Sequence, residues 1–152
     1  MRFFAAMNLL VGIGNELRAD DGAGPWAAQH FTAEGWQTLD GGVLPENYTS
    51  KIKKLAPQRI VFLDAADLGI PPGEFRIVPK EKIADLSTGT HNLPVSLMMD
   101  FLALSMDAEM IFIGIQPAVV TNGTGLSAEV FQGLENLFPI LGNCAFDQIK
   151  AI

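Results

Sequence analysis

Two adjacent carboxylates, Asp20 and Asp21, stand in the stretch LLVGIGNELRADDGAG. An apolar run breaking at Gly12 and Gly14 precedes them, and a helix start at Gly24-Pro25-Trp26 follows. An acid pair at that place suits two kinds of work. It can cap the helix, whose N-terminal dipole favours negative charge, or it can hold a cation or move a proton. One helix start needs one capping side chain, so the pair holds an acid too many for capping alone. Other polar residues stand where apolar runs stop. Asp40 closes a second apolar segment, Asp64 follows IVFL with Asp67 close behind, and Gln116 follows IFIGI. His91 lies in the loop TGTHNLP. A turn-forming role for Asp64 is the weaker reading, because an aspartate against a dry strand costs free energy unless something compensates it. His91 taken alone reads more readily as an ordinary loop histidine than as a functional one. His30 falls within a helix and reads as structural or exposed.

Several chemistries are excluded by residues that are missing. GIGNEL resembles part of a dinucleotide fingerprint, but the third glycine position holds Leu17, and the acids beyond it repel pyrophosphate. There is no Walker lysine pattern, no G-x-S-x-G and no H-E-x-x-H. Cys144 is the one cysteine, so a closed zinc site of paired thiolates is excluded. Two carboxylates could run glycosidase chemistry, yet only Trp26, Trp36 and Tyr48 offer wide rings to stack a sugar. The methionines form a core stripe rather than a metal box. Carboxylates with an imidazole suit a divalent ion of the first transition row, with coordination positions left open. Three ligands from three loops have no diagnostic spacing.

The elements around these residues alternate strand and helix. Asn8–Ile13 is an apolar run too short for a helix, Pro25 opens a helix and Gly35 closes it after Glu34. Trp36–Asp40 is a second strand. Asn47 caps a helix bearing Tyr48, Ile52, Leu55 and Ala56, which Pro57 ends. Ile60–Leu63 reads as a central parallel strand. After the turn Pro71-Pro72-Gly73, Glu74–Val78 alternates as an edge strand, and residues 79–92 read mostly as loop, within which Lys80–Leu86 can form a short helix. Pro94 opens a helix with the stripe Val95, Met98, Met99, Leu102 and Met106. Met110–Ile115 is the fifth strand. The last helix carries Val130, Phe131, Leu134, Leu137, Phe138 and Leu141 on one face, with Pro139 as a bend. This pattern predicts a single α/β domain over residues 1–152: a three-layer sandwich with a twisted, mostly parallel five-stranded sheet and helices on both faces. In such sheets the chemistry gathers beyond the carboxyl ends of the strands, where the acids, the imidazole and the amide all fall.

Composition narrows the class further. With 49% hydrophobic residues among 152, the chain can bury a core of one domain. A formal net charge of −7, with no basic cluster beyond Lys51, Lys53 and Lys54, speaks against nucleic acid. A lone cysteine fits a reducing, cytoplasmic compartment. The N-terminus faintly imitates a signal peptide, but Asn8 interrupts the apolar run and no small-residue cleavage site follows. No stretch is long enough to insert into a membrane, and Met7 stands as an alternative start to Met1.

GIGNELRADDGAG resembles the opening motif of the nickel–iron hydrogenase maturation endopeptidases. DGGVLPEN (40–47), FLDAADLGIPPGEFRIV (62–78), THNLP (90–94) and IFIGIQP (111–117) resemble the subtype serving hydrogenase 3 and related energy-converting hydrogenases. Residues 123–152 match less distinctively. The resemblance implies a peptide-bond hydrolase of aspartic type that removes the C-terminal tail of the large-subunit precursor after nickel insertion. The cut falls after a basic residue near the last metal-binding cysteine motif. It implies a five-stranded α/β sandwich and three nickel-contacting residues, here Asp21, Asp64 and His91, which serve as both metal ligands and catalytic residues. Asp21 stands where many relatives carry glutamate. The nickel is carried by the precursor, and no organic cofactor is implied. The partner is the nickel-loaded precursor, with no nucleic acid or membrane insertion, and the protein is expected to be a monomer. Asp20 is left to the turn and the helix start. If water is the nucleophile, Asp21 or Asp64 is the candidate base. The alternative is a nickel-sensing chaperone that binds the precursor without cutting it.

Overall fold

The computed structural model describes residues 6–86 and 94–152. Five strands, β1 (Asn8–Ile13), β2 (Trp36–Gly42), β3 (Arg59–Ala65), β4 (Phe75–Ile77) and β5 (Glu109–Ile115), form one sheet in the order β2-β1-β3-β5-β4. All neighbours pair parallel except β4, which runs antiparallel to β5 at the edge. The expected architecture is therefore the observed one. The central strands β1 and β3 are buried throughout apart from Arg59, as continuous apolar runs covered on both faces should be.

Helices α2 (Thr49–Leu55), α3 (Ile83–Leu86) and α4 (Val95–Ala103) cover one face. Their Ile52, Ile83, Met98 and Leu102 pack with Leu9, Val11, Ile60 and Phe62. Helices α1 (Ala23–His30) and α5 (Ala128–Gly142) cover the other. There Ala23, Ala27, Leu134, Leu137 and Leu141 pack with Leu10, Val61 and Leu63. The alternation of β3 is thus visible residue by residue: odd positions face α1 and α5, even positions face α2 and α4.

Three local expectations need correction. Helix α1 ends at His30, not at Glu34; Phe31 turns extended, and Gly35, at φ 80°, instead makes the turn into β2. Asn47 is not a cap, because Pro45–Tyr48 winds as a 3-10 turn that runs into α2. Phe131 is not in the core: it stays 45% exposed and meets Trp26 edge-on. The helix across Lys80–Leu86 forms as a 3-10 turn at Lys80–Lys82 followed by α3.

The strand order reverses direction between β1 and β3. From β1 the chain crosses to β2 on one side, then returns past β1 to β3 on the other. In sheets of this kind, loops leaving two such strands diverge and a crevice lies at their carboxyl ends. Glycines bring the next helix unusually close to it. A methyl group on Gly24 would collide with backbone atoms of Ile13 and Leu63, and one on Gly12 would collide with the carbonyl of Gly24. The first turn of α1 therefore rests directly on the ends of β1 and β3. No helix among the described residues is long and apolar enough to cross a membrane.

Candidate functional site

Between β1 and α1 the chain makes an Asx turn and then a 3-10 turn, Ala19–Gly22. Asn15 Oδ1 accepts from Leu17 N at 2.9 Å, and Arg18 N donates to Asn15 O at 3.1 Å. Ala19 takes φ 51°, a left-handed value, so the backbone doubles back. Gly14, at φ 143°, lies against the carbonyl of Asp21, where no Cβ fits. The turn sits over the crevice and packs against β3.

The two adjacent acids are both buried, at 0% and 1% exposure, yet they do different things. Asp20 is the hub of a knot. Its Oδ2 accepts from Ala118 N at 2.8 Å, Val119 N at 3.0 Å and Ser127 Oγ at 2.8 Å, and its Oδ1 accepts from Ser127 N at 2.7 Å. Its own amide donates to Val119 O at 2.9 Å. Ser127 is the N-cap of α5 and accepts from Val130 N. Asp20 thus binds the loop after β5 and the start of α5. It does not cap α1, whose first turn has no side-chain cap. The expected helix-start role is transferred to a helix more than a hundred residues away in sequence.

Asp21 faces back toward β1. Asn15 N lies 3.1 Å from both the Oδ2 and the carbonyl oxygen of Asp21. Asp64, fully buried, ends β3 on the face of Ile60 and Phe62, beside the reversal point. Asp21 thus lies in the turn after β1 and Asp64 near the end of β3, the strand paired parallel to β1. Among the described residues no three His, Cys, Asp or Glu side chains gather as a metal site. His91, the third ligand that the family resemblance implies, lies outside the described residues. Their described flanks are Leu86, whose carbonyl accepts from Asp67 N at 3.1 Å, and Pro94 at the start of α4.

The other polar strand ends are occupied in building the rim. Asp40 Oδ1 accepts from Gly42 N at 3.0 Å, across a register shift in which Gly12 pairs Asp40 and Ile13 pairs Gly42. Its Oδ2 accepts from Gln29 Nε2 at 3.0 Å, and the same amide reaches Glu16 Oε1 at 2.8 Å. Gln116 Oε1 accepts from Leu68 N at 2.6 Å and its Nε2 donates to Asp67 Oδ1 at 3.3 Å, so it shapes the loop after β3. His30 is exposed, bonded to Trp26 O and stacked on its indole at 4.1 Å. Sequence reasoning missed Ser127 and Gln29. Ser127 carried a signal, a serine just before a helix; its partnership with Asp20 did not.

Carboxylates buried at strand ends are suited chemically to contact a cation or to act as a base. Residues 27–141 match the family described as HycI, hydrogenase maturation protease. Along 93% of this chain and 96% of the relative, it is 35% identical to the hydrogenase 3 maturation protease of Escherichia coli K12. The solution structure of the endopeptidase HycI from Escherichia coli superposes with a TM-score of 0.85 at 32% identity, covering 95% of this chain and 96% of that one. A NiFe hydrogenase maturation protease HycI from Thermococcus kodakarensis KOD1 superposes with a TM-score of 0.79 at 27% identity, over 91% of each chain.

Proposed function

The chain belongs to the hydrogenase maturation protease family and is a hydrogenase maturation endopeptidase; from that premise we propose that it removes the C-terminal tail of a nickel–iron hydrogenase large-subunit precursor once nickel is in place. What supports this reading is that the two acids the family motifs single out, Asp21 and Asp64, are both buried, one in the turn after β1 and one near the carboxyl end of the neighbouring strand β3. Nickel arrives as part of the substrate, held by the precursor's cysteines. Asp21, Asp64 and His91 complete its coordination from the protease side and fix the tail against the rim.

The residues of this chain support hydrolysis by water rather than by a covalent route. Cys144 is exposed and sits after α5, bonded to Asn8 and Arg59 near the opposite end of the sheet. The attacking water gives its proton to a base, Asp21 or Asp64, as its oxygen adds to the scissile carbonyl. The proton then passes to the departing amide nitrogen. Aspartic chemistry in this sense uses carboxylates that face a metal-bearing substrate, not a dyad sharing one proton. The enzyme works as a monomer in the cytoplasm.

The test offers the purified protein the same precursor with and without nickel and weighs the products. Tail removal from the nickel-loaded form alone supports the reading, since a checkpoint needs differential affinity for the two forms. Equal cleavage of both forms at equal rates removes the nickel gate while leaving the protease.

A further inference from the structure

Helix α4 is apolar on two sides. Val95, Met98, Met99 and Leu102 are buried against the sheet. On the outward side Leu97 is 51% and Phe101 49% exposed, one helical turn apart. A helix apolar all round is ordinarily covered all round. The neighbouring 3-10 turn adds Leu44 and Tyr48, both exposed. Between the two elements lies a depression of about 280 Å³ lined by Glu46, Thr49, Met98 and Phe101. Lys53 lies against the same Phe101, with Nζ 4.3 Å from the centre of its ring.

This shoulder adjoins the carboxyl rim. Leu44 and the turn Pro45–Tyr48 follow directly on the carboxyl end of β2 and pack against it. Helix α4 starts at that same end, because its other end leads within a few residues to Glu109, where β5 begins. Leu97 in the first turn of α4 therefore lies toward the carboxyl ends of the strands, and Phe101 one turn below it.

We propose that this shoulder docks the folded body of the hydrogenase large-subunit precursor through an apolar surface with a basic side chain beside it. The proposal rests on the precursor being the substrate. Continuity with the rim supports this occupant: a precursor whose tail is held at Asp21 and Asp64 must lay its adjoining surface on the elements around them. Charge supports it too. Glu46, half-buried at the edge of the depression, is in no ion pair among the described residues and suits a basic neighbour. A second copy of this chain brings its own net charge of −7 and is repelled.

The experiment measures kcat and KM for tail removal from the nickel-loaded precursor, and separately the binding of that precursor without turnover. In the double variant Leu97→Glu with Phe101→Glu, KM and the dissociation constant should rise about 10-fold or more while kcat holds. Leu104→Glu, at the far end of the same helix and 85% exposed, should change neither. Circular dichroism verifies folding; if the double variant is unfolded, Leu97→Glu alone should raise KM about 3-fold. Unchanged KM and binding in a folded variant overturn the proposal. So does loss of wild-type self-association with KM unchanged, which would assign the face to a second copy. A wild-type protein that binds the precursor but does not cut it, with binding weakened in the variant, refutes the proposed hydrolysis and keeps the docking surface. A wild type that neither binds nor cuts overturns both.

Discussion

Asp20→Asn changes one atom of a buried carboxylate and should separate the two neighbouring acids. The amide can enter the knot in two ways. With its oxygen toward Ala118 N, Val119 N and Ser127 Oγ, it keeps three of the contacts made by Asp20, at 2.8, 3.0 and 2.8 Å. Its NH2 group then confronts Ser127 N, a donor facing a donor at a position where the wild-type distance is 2.7 Å. The opposite orientation confronts both Ala118 N and Val119 N and is worse. The first arrangement loses one hydrogen bond to a charged acceptor, worth about 1.5–3 kcal/mol. It also weakens the remaining three by removing the charge. A loss of roughly 2–3 kcal/mol follows, which for a chain of this length lowers Tm by roughly 5–10 °C.

The assay pairs thermal and urea unfolding with the tail-removal rate, measured well below the lowered midpoint. Asp20→Asn should be less stable yet retain most of its kcat, because the knot faces the loop 117–127 rather than the crevice. Asp21→Asn should show the reverse: near wild-type stability and little or no activity. If Asp20→Asn melts like the wild type, the four bonds are not stabilising in the way argued. If it loses activity completely at unchanged stability, Asp20 belongs to the site and its separation from Asp21 is mistaken.

Other expectations follow from the same geometry. Asp64→Asn and His91→Ala should each reduce tail removal by about 100-fold or more, while far-ultraviolet circular dichroism stays that of the wild type; full processing by either removes that residue from the site. Gly24→Ala should cost about 3 kcal/mol or more in urea unfolding, since the methyl meets backbone rather than a yielding side chain; wild-type stability would show that α1 does not press on β1 and β3. Leu134→Ala, fully buried in α5, should cost about 2–5 kcal/mol by the same measurement, and a cost under about 1 kcal/mol would show that this core relaxes freely.

The sheet was legible because its strands are short apolar runs punctuated by glycine, proline and aspartate. Strand order and the antiparallel edge depend on long-range pairing, which no local pattern encodes. Helix α1 was read too long because Gly35 is an ordinary stop signal, yet the chain leaves the helix at Phe31 to bury that ring against Trp36 and Phe138. Local propensity yielded there to packing. At the site, the positions of Asp21 and Asp64 at strand ends were visible from the run lengths alone, whereas their roles came from the family motifs. The partners of Asp20 were hidden, because Ala118 and Ser127 lie at sequence separations of 98 and 107 and contribute mostly backbone amides, which carry no residue signature. Asp40 and Gln116 stood equally well as site candidates and proved to be fastened into the rim by Gln29 and Leu68.

Adjacency in sequence misleads at Asp20-Asp21 for a geometric reason. In a 3-10 turn successive side chains diverge by about 120°, and the left-handed Ala19 just before them turns the backbone toward the loop after β5. One acid is thereby delivered to Ser127, while the other accepts from Asn15 N at the end of β1. The split has a consequence for the chemistry. A carboxylate meant to face an incoming cation gains from being held before the cation arrives, since ordering it afterwards would reduce affinity. The Asp21 carboxylate accepts from the backbone amide of Asn15 in the same loop. Rigidity comes also from its neighbours, through Asp20 anchored to α5 and through glycines that let α1 and the turn lie directly on β1 and β3. The acid fastened to α5 thus helps to hold the turn from which the other acid projects.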